Sequence, residues 1–221
     1  MVITARHAQQ LNEVVDGIRA KGGKAVGVVA DVCSTEDTKK VFETALREFG
    51  DVDILINNAG IGEQKMIDET DDDWMMYVMN INLGGPMRYI REALKIFLPK
   101  NDGVIINISS VNGARPFCGA TYTSTKGGLN TLTKNVAMRL IDTNIRCNAV
   151  APVLPSPRRS GQQSRGAARR RRDAEIQRPF CHFPGPECDP MDQAYACLYL
   201  ASKMGKAVRG QVIQVCNGAF L

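Results

Sequence analysis

Tyr122 and Lys126 stand four residues apart in Tyr122-Thr123-Ser124-Thr125-Lys126, and a serine pair, Ser109-Ser110, lies a dozen residues upstream. In a helix, residues at that spacing share a face. An ammonium beside a phenol favours the phenolate and draws its pKa below the reference of about 10. Reaching neutrality takes roughly 3 units, or ~4 kcal/mol, which a lysine and a further cationic group together can supply. Such a tyrosine passes a proton to or from a substrate oxygen, while a serine hydroxyl holds and polarises that oxygen. The chemistry suggested is proton transfer at a carbonyl or an alcohol. Taken alone, the pair also fits an ordinary solvated helix face, so the elements around it have to decide.

Those elements alternate between short apolar runs and amphipathic stretches. Strands are expected at residues 2–5, 25–30, 53–57, 104–108, 145–150 and 211–215. Between the first two, Leu11, Val14, Val15 and Ile18 recur at helical spacing and stop at Gly22-Gly23. Ser34 with Asp37 has the form of a capping box opening a helix that carries Val41, Phe42, Ala45, Leu46 and Phe49. Further helices are expected over 71–98, 122–140 and 193–201, the second with Leu129, Leu132, Val136 and Leu140 on one side. Continuous apolar strands alternating with helices imply an α/β fold, a parallel sheet covered on both faces. Ligands of such sheets bind beyond the carboxyl ends of the strands. The serine pair follows one of those ends.

Bulk properties narrow the classes. A chain of 221 residues can bury one substantial core, so a single domain over 1–221 is expected. No apolar run reaches membrane-span length, and the start has no signal-peptide pattern. Seven cysteines, odd in number and scattered, suit reduced thiols and a cytoplasmic location better than a disulfide framework. Cys181, His182 and Cys188 match no common metal-ligand spacing. The net charge of +5 is concentrated: residues 158–178 hold eight arginines against Asp173 and Glu175, leaving the remainder near neutral. A whole-surface basic field for nucleic acid is not indicated.

With these residues in place, the chain resembles the short-chain dehydrogenase/reductase family from Met1 to about Pro152 and again from about Asp189 to Leu221. Asn57-Asn58-Ala59-Gly60 is similar to that family's NNAG signature, Asn80-Ile81-Asn82-Leu83 to its helix motif, Asn107-Ile108-Ser109-Ser110-Val111 to its catalytic-serine segment, and Arg146-Cys147-Asn148-Ala149-Val150-Ala151-Pro152 to the strand before its nicotinamide loop. The resemblance implies a Rossmann-like doubly wound sheet in three α/β/α layers. It also implies hydride transfer between a nicotinamide cofactor and a secondary alcohol or ketone, of 3-oxoacyl, hydroxysteroid or polyol type. Tyr122 becomes the general acid or base. Lys126 lowers its pKa and binds the nicotinamide ribose, Ser110 orients the substrate oxygen, and Asn82 holds a water relay to the lysine. Asn58, Ala59 and Gly60 line the adenosine side, and Pro152 precedes the nicotinamide loop. Ser109 stays in reserve, because the family's usual serine-to-tyrosine interval fits it better, whereas the Val-x-Gly of Val111-Asn112-Gly113 favours Ser110. The resemblance further implies a homodimer or homotetramer built on long helices.

Cofactor choice turns on the end of the strand at 2–5. An acidic residue there would favour NAD. Thr4-Ala5-Arg6-His7 has none, and Arg6 could pair with a 2′-phosphate, so NADP is expected, with NAD as the alternative and a surface arginine as the other reading of Arg6. Asp31 and Val32 resemble the family's adenine-contacting turn.

Two departures qualify the match. The resemblance begins at what the family counts as its second strand, so an N-terminally truncated sheet is expected, without the glycine-rich turn that cradles a pyrophosphate. Since strand one sits between strands two and four in the 3-2-1-4-5-6 order, either those neighbours close up, another chain fills the gap, or the module is unstable. Residues 153–188, where the substrate lid belongs, are rich in arginine and proline and lack apolar periodicity, as in irregular or disordered segments. That stretch reads as an out-of-frame segment, a basic insertion facing phosphates or an acidic partner, or a solvated loop. Hence a second functional reading stands beside the enzyme: a catalytically impaired fragment or partner subunit without cofactor binding. A third is a basic interaction module working through 158–178.

Overall fold

The computed structural model describes residues 1–115, 117–153 and 188–218. The body of the Arg/Pro-rich lid region, with Cys181 and His182, lies outside them.

Among the described residues six strands form, all pairing in parallel: β1 (Val2–Ala5), β2 (Val26–Val29), β3 (Ile54–Asn57), β4 (Asp102–Ile108), β5 (Asn144–Pro152) and β6 (Val212–Val215). Helices α1 (Ala8–Ala20), α2 (Thr35–Phe49), α3 (Asp72–Met79), α4 (Gly85–Lys100), α5 (Ala120–Arg139) and α6 (Pro190–Ala201) run between them. This is the Rossmann-like α/β architecture the sequence implies.

The pleat sorts the core. On β4, Ile105 faces one layer with Phe42, Tyr89, Phe97 and Leu140 from α2, α4 and the end of α5. Its neighbours Val104 and Ile106 face the other, against Leu200 of α6. Helix α1 packs Leu11 and Val15 on Ile3, Ala5 and Ala25, while Val2, Val28 and Ala30 turn towards the α2/α4 layer.

Strand order is β1-β2 and, separately, β3-β4-β5-β6. Among the described residues β1 and β3 do not pair, so of the three alternatives the closing-up of those edges does not occur. The consequence shows on β3. Leu55 joins the core, but Ile54 and Ile56 point to the opposite face and remain 45% and 47% exposed.

Local chemistry explains most element ends. Ser34 caps α2 by accepting from Asp37 N at 3.0 Å, and Gly50 ends it with φ 80°. Only half of the expected capping box forms, because the Asp37 carboxylate accepts instead from Asp31 N at 2.8 Å, tying α2 to the end of β2. The single helix expected over 71–98 is interrupted by a π-helical turn, Asn80–Gly84, where Gly85 N donates to Asn80 O five residues back. Pro86 follows in the first turn of α4, where its missing N–H is tolerated. No helix of the described residues is long and apolar enough to cross a membrane.

Candidate active site

Because every strand runs the same way, their carboxyl ends make one rim, and the sequence-expected residues gather there. Arg6 follows β1, Asp31 and Val32 follow β2, Asn58, Ala59 and Gly60 follow β3, Ser109 and Ser110 follow β4, and Pro152 ends β5. Tyr122 and Lys126 descend onto this rim from the first turns of α5, and Asn82 from the π turn.

The two serines separate cleanly. Ser109 is buried, and its hydroxyl bonds the Lys126 carbonyl and the Asn130 side chain, fastening β4 to α5. Ser110 turns the other way. Its Oγ accepts from Asn112 N at 3.1 Å and Asn112 Nδ2 at 3.2 Å, and it faces the Tyr122 phenol, where it favours the ionised form.

Lys126 is buried, and its Nζ donates to the Ile108 carbonyl at 2.8 Å, lying 5.7 Å from the centre of the Tyr122 ring. Burial pulls its pKa down to about 8. The lowering of Tyr122 expected from the sequence is not what the chain's own groups produce. Burial pushes the phenol up, Ser110 opposes that, and the Cys118 thiol adds to the rise. The reason is geometric: the lysine's hydrogen bond is spent on a backbone carbonyl, and desolvation outweighs a cation over the ring.

Asn82, almost fully buried, accepts from Ile61 N at 2.9 Å and donates to Ile61 O at 3.0 Å and Thr125 Oγ1 at 3.3 Å. A Cβ at Gly60 would lie 3.2 Å from Asn82 Oδ1 and 3.6 Å from Lys126 Nζ, so the glycine lets the loop after β3 pass close over both. Below them Asn57 Nδ2 donates to Asn107 Oδ1 at 2.8 Å, and Asn107 Nδ2 to Thr133 Oγ1 at 2.9 Å, a buried amide network joining β3, β4 and α5.

At the cofactor end, exposed Arg6 donates to the Tyr77 hydroxyl at 2.8 Å. Asp31 Oδ1 accepts from Cys33 N at 2.8 Å, which shapes the turn after β2. Val32 packs against Gly85, and its carbonyl accepts from Arg88 at 3.3 Å. Asn58, Ala59 and Gly60 are exposed on the rim, and buried Pro152 pairs with Val215 of β6.

Sequence reasoning missed three contributors. Glu63, buried, lays its carboxylate across the start of α5: Oε2 accepts from Tyr122 N at 3.1 Å, and its carbonyl accepts from Gly119 N at 3.0 Å. A side chain at 119 would collide with that carboxylate. Asn112 holds Ser110, and Asn130 holds Ser109. None has a motif spacing that points to it, since Glu63 and Tyr122 are 59 residues apart in sequence.

Comparison with known proteins places the arrangement. The family model for short chain dehydrogenase matches residues 1–164. The chain is 35% identical to 3beta-hydroxysteroid dehydrogenase 1 of Eggerthella lenta, covering 95% of this chain and 79% of that protein. It is 31% identical to glucose 1-dehydrogenase 2 of Bacillus subtilis, with 95% and 80% covered. It is also 31% identical to the 3-oxoacyl-[acyl-carrier-protein] reductase FabG of Staphylococcus aureus, with 96% and 84% covered. Among solved structures, a variant of actinorhodin polyketide ketoreductase with NADPH superposes with a TM-score of 0.84 at 27% identity, covering 98% of this chain and 86% of the other. The chain belongs to the short-chain dehydrogenase/reductase family of oxidoreductases.

Proposed function

We propose that the chain transfers hydride between NADP(H) and a secondary alcohol or ketone, with Tyr122 as the general acid or base. The observation that carries this is the convergence of Ser110, Tyr122 and Lys126 on the rim of the parallel sheet, with Ser110 facing the phenol and the lysine beneath its ring. A nicotinamide held there would supply or accept the hydride. Tyr122 gives its proton to the substrate oxygen in reduction and takes it in oxidation. Ser110 holds that oxygen by its hydroxyl. Lys126, whose pKa burial lowers to about 8, would meet the ribose hydroxyls of a bound nicotinamide nucleotide.

Both ends of the rim suit a dinucleotide. At one, Gly60 leaves Lys126 Nζ uncovered by a Cβ. At the other, Arg6 lies exposed beyond β1 with a guanidinium suited to a 2′-phosphate. That arginine and the NADPH-bound polyketide ketoreductase both support NADP over NAD. The dehydrogenase and reductase relatives support a small alcohol or ketone as substrate, of hydroxysteroid, sugar or 3-oxoacyl type. A groove of about 410 Å³ along α4, lined by apolar side chains such as Met87, Leu94 and Leu132 together with Arg91 and Lys95, supports a homodimer or homotetramer through the long helices. We place the enzyme in the cytoplasm, where six described cysteines would stay free thiols.

The unpaired edges of β1 and β3 and the exposed Ile54 and Ile56 favour the second reading, a partner subunit or fragment that does not hold cofactor. Titrating the purified chain with NADPH and NADH separates the two. Saturable quenching or fluorescence transfer below millimolar cofactor supports the enzyme, and absence of binding at millimolar concentrations leaves the second reading.

A further inference from the structure

Ser110 has one proton to donate and two lone pairs to fill. Both lone-pair directions are met from Asn112, by its backbone N–H at 3.1 Å and its side-chain Nδ2 at 3.2 Å. The amide cannot flip without loss, because Asn112 Oδ1 accepts from Phe117 N at 3.1 Å, which identifies the nitrogen as the atom facing the serine. The turn that carries these groups is pressed onto α5. A Cβ at Gly113 would sit 2.6 Å from Asn130 Nδ2 and 2.7 Å from the Lys126 carbonyl, so a side chain there would lift the turn away.

We propose that Asn112 is a positioning residue that sets the polarity of the Ser110 hydroxyl, leaving it able only to donate, towards the Tyr122 phenol and the substrate oxygen. The inference rests on reading Ser110 and Tyr122 as the proton-transfer pair. A serine free to rotate could equally accept from the phenol, which would hold the tyrosine proton in place and leave the developing oxyanion without a donor. With both lone pairs occupied, the hydroxyl stabilises negative charge on whichever oxygen carries it, phenolate or substrate alkoxide. Other groups around the phenol are the Cys118 thiol, the Lys126 ammonium beneath the ring and the Glu63 carboxylate at the Tyr122 backbone. None of them is altered by a change at 112.

The test is a double-mutant cycle. Asn112→Asp keeps size and the acceptor for Phe117 N but replaces the donor by a second acceptor, which draws the serine proton to itself. Asn112→Leu removes both side-chain functions without adding charge. Each is made alone and in a Ser110→Ala background, with folding checked by thermal unfolding. The first readout is the titration of the Tyr122 phenol in the chain alone, followed by NMR of ring-labelled tyrosine and assigned with Tyr122→Phe. The second is turnover.

Asn112→Asp is expected to raise the phenol pKa by about one unit and to cut kcat roughly a hundredfold, with KM little changed. Asn112→Leu is expected to cost about tenfold in kcat. Both effects should vanish once Ser110 is alanine, because they act through it. An effect of the same size in the Ser110→Ala background would show a direct charge or packing effect and overturn the inference, as would a variant that titrates and turns over like the wild type. If Asn112→Asp does not fold, the leucine variant decides by the same criterion. A coupled titration in a chain that turns over no alcohol would overturn the enzyme reading and keep the inference; an active chain with uncoupled titration would do the reverse.

Discussion

The Lys126 ammonium lies 5.7 Å from the centre of the Tyr122 ring, yet its hydrogen bond goes to the Ile108 carbonyl, at 2.8 Å. The lysine therefore belongs to the end of β4 as much as to the tyrosine. Of the two, its own protonation is the more strongly shifted, by burial.

Lys126 gives a stability signature. Its pKa falls from 10.5 unfolded to about 8 folded. Below pH 8 both states are protonated and the folded chain carries the full cost of a buried charge. Between pH 8 and 10.5 the unfolded chain binds more protons, so unfolding free energy rises with pH. Relative to Lys126→Met, which does not titrate there, the wild type should gain on the order of 3 kcal/mol across that window. Urea unfolding of both proteins at several pH values checks it, and a constant difference would contradict it.

The serines should be separable by substitution. Ser110→Ala is expected to lose turnover by about two orders of magnitude with little change in stability. Ser109→Ala is expected to keep most turnover but to lose roughly 1–3 kcal/mol, since it removes the hydroxyl that bonds the Asn130 side chain and makes a second bond to the Lys126 carbonyl. Abolished turnover in Ser109→Ala alone, with normal stability, would reverse the assignment.

Glu63 should matter to the start of α5. Glu63→Ala frees the Tyr122 N–H and is expected to cost about 1–2 kcal/mol, as loss of a helix cap does. Gly119→Ala, whose Cβ displaces the same carboxylate, should mimic it in sign. Thermal unfolding of both variants measures this, and unchanged midpoints would show that the cap carries no weight.

Fold and site were legible in the sequence to different depths. The strands could be read because each is a short apolar run, and β4 and β5 only lengthened, to Asp102–Ile108 and Asn144–Pro152. Tyr122, Lys126 and Ser110 could be read because short spacing on one helix and one strand end brings them together. Glu63 and Asn130 could not, because long-range polar partnering leaves no periodic trace, and Asn112 could not, because the turn that folds its amide back onto Ser110 is not encoded in spacing. The π turn was also hidden, although Gly84-Gly85-Pro86 in an otherwise helical stretch is the composition that permits it. Asp37 shows the same limit at smaller scale: the spacing to Ser34 was visible, but its carboxylate found Asp31 N instead.

Thiol reactivity should follow burial. Cys147 is fully buried on β5 and its pKa is pushed up to about 12, so it should resist alkylation until the chain unfolds. Among the described cysteines, the partly exposed Cys33, Cys118 and Cys197 should react before it, with mass spectrometry of tryptic peptides as the measure. Early labelling of Cys147 in folded protein would contradict the packing of β5.

The central claim is hydride transfer with Tyr122 as the proton donor. Its most direct measurement uses NADPH deuterated at the nicotinamide C4 with a panel of hydroxysteroid, sugar and 3-oxoacyl ketones. Deuterium is expected on the carbinol carbon of the product, with a rate lower by about 10²–10⁴ in Tyr122→Phe. Alcohol formed without deuterium, or an undiminished rate in the phenylalanine variant, would contradict it.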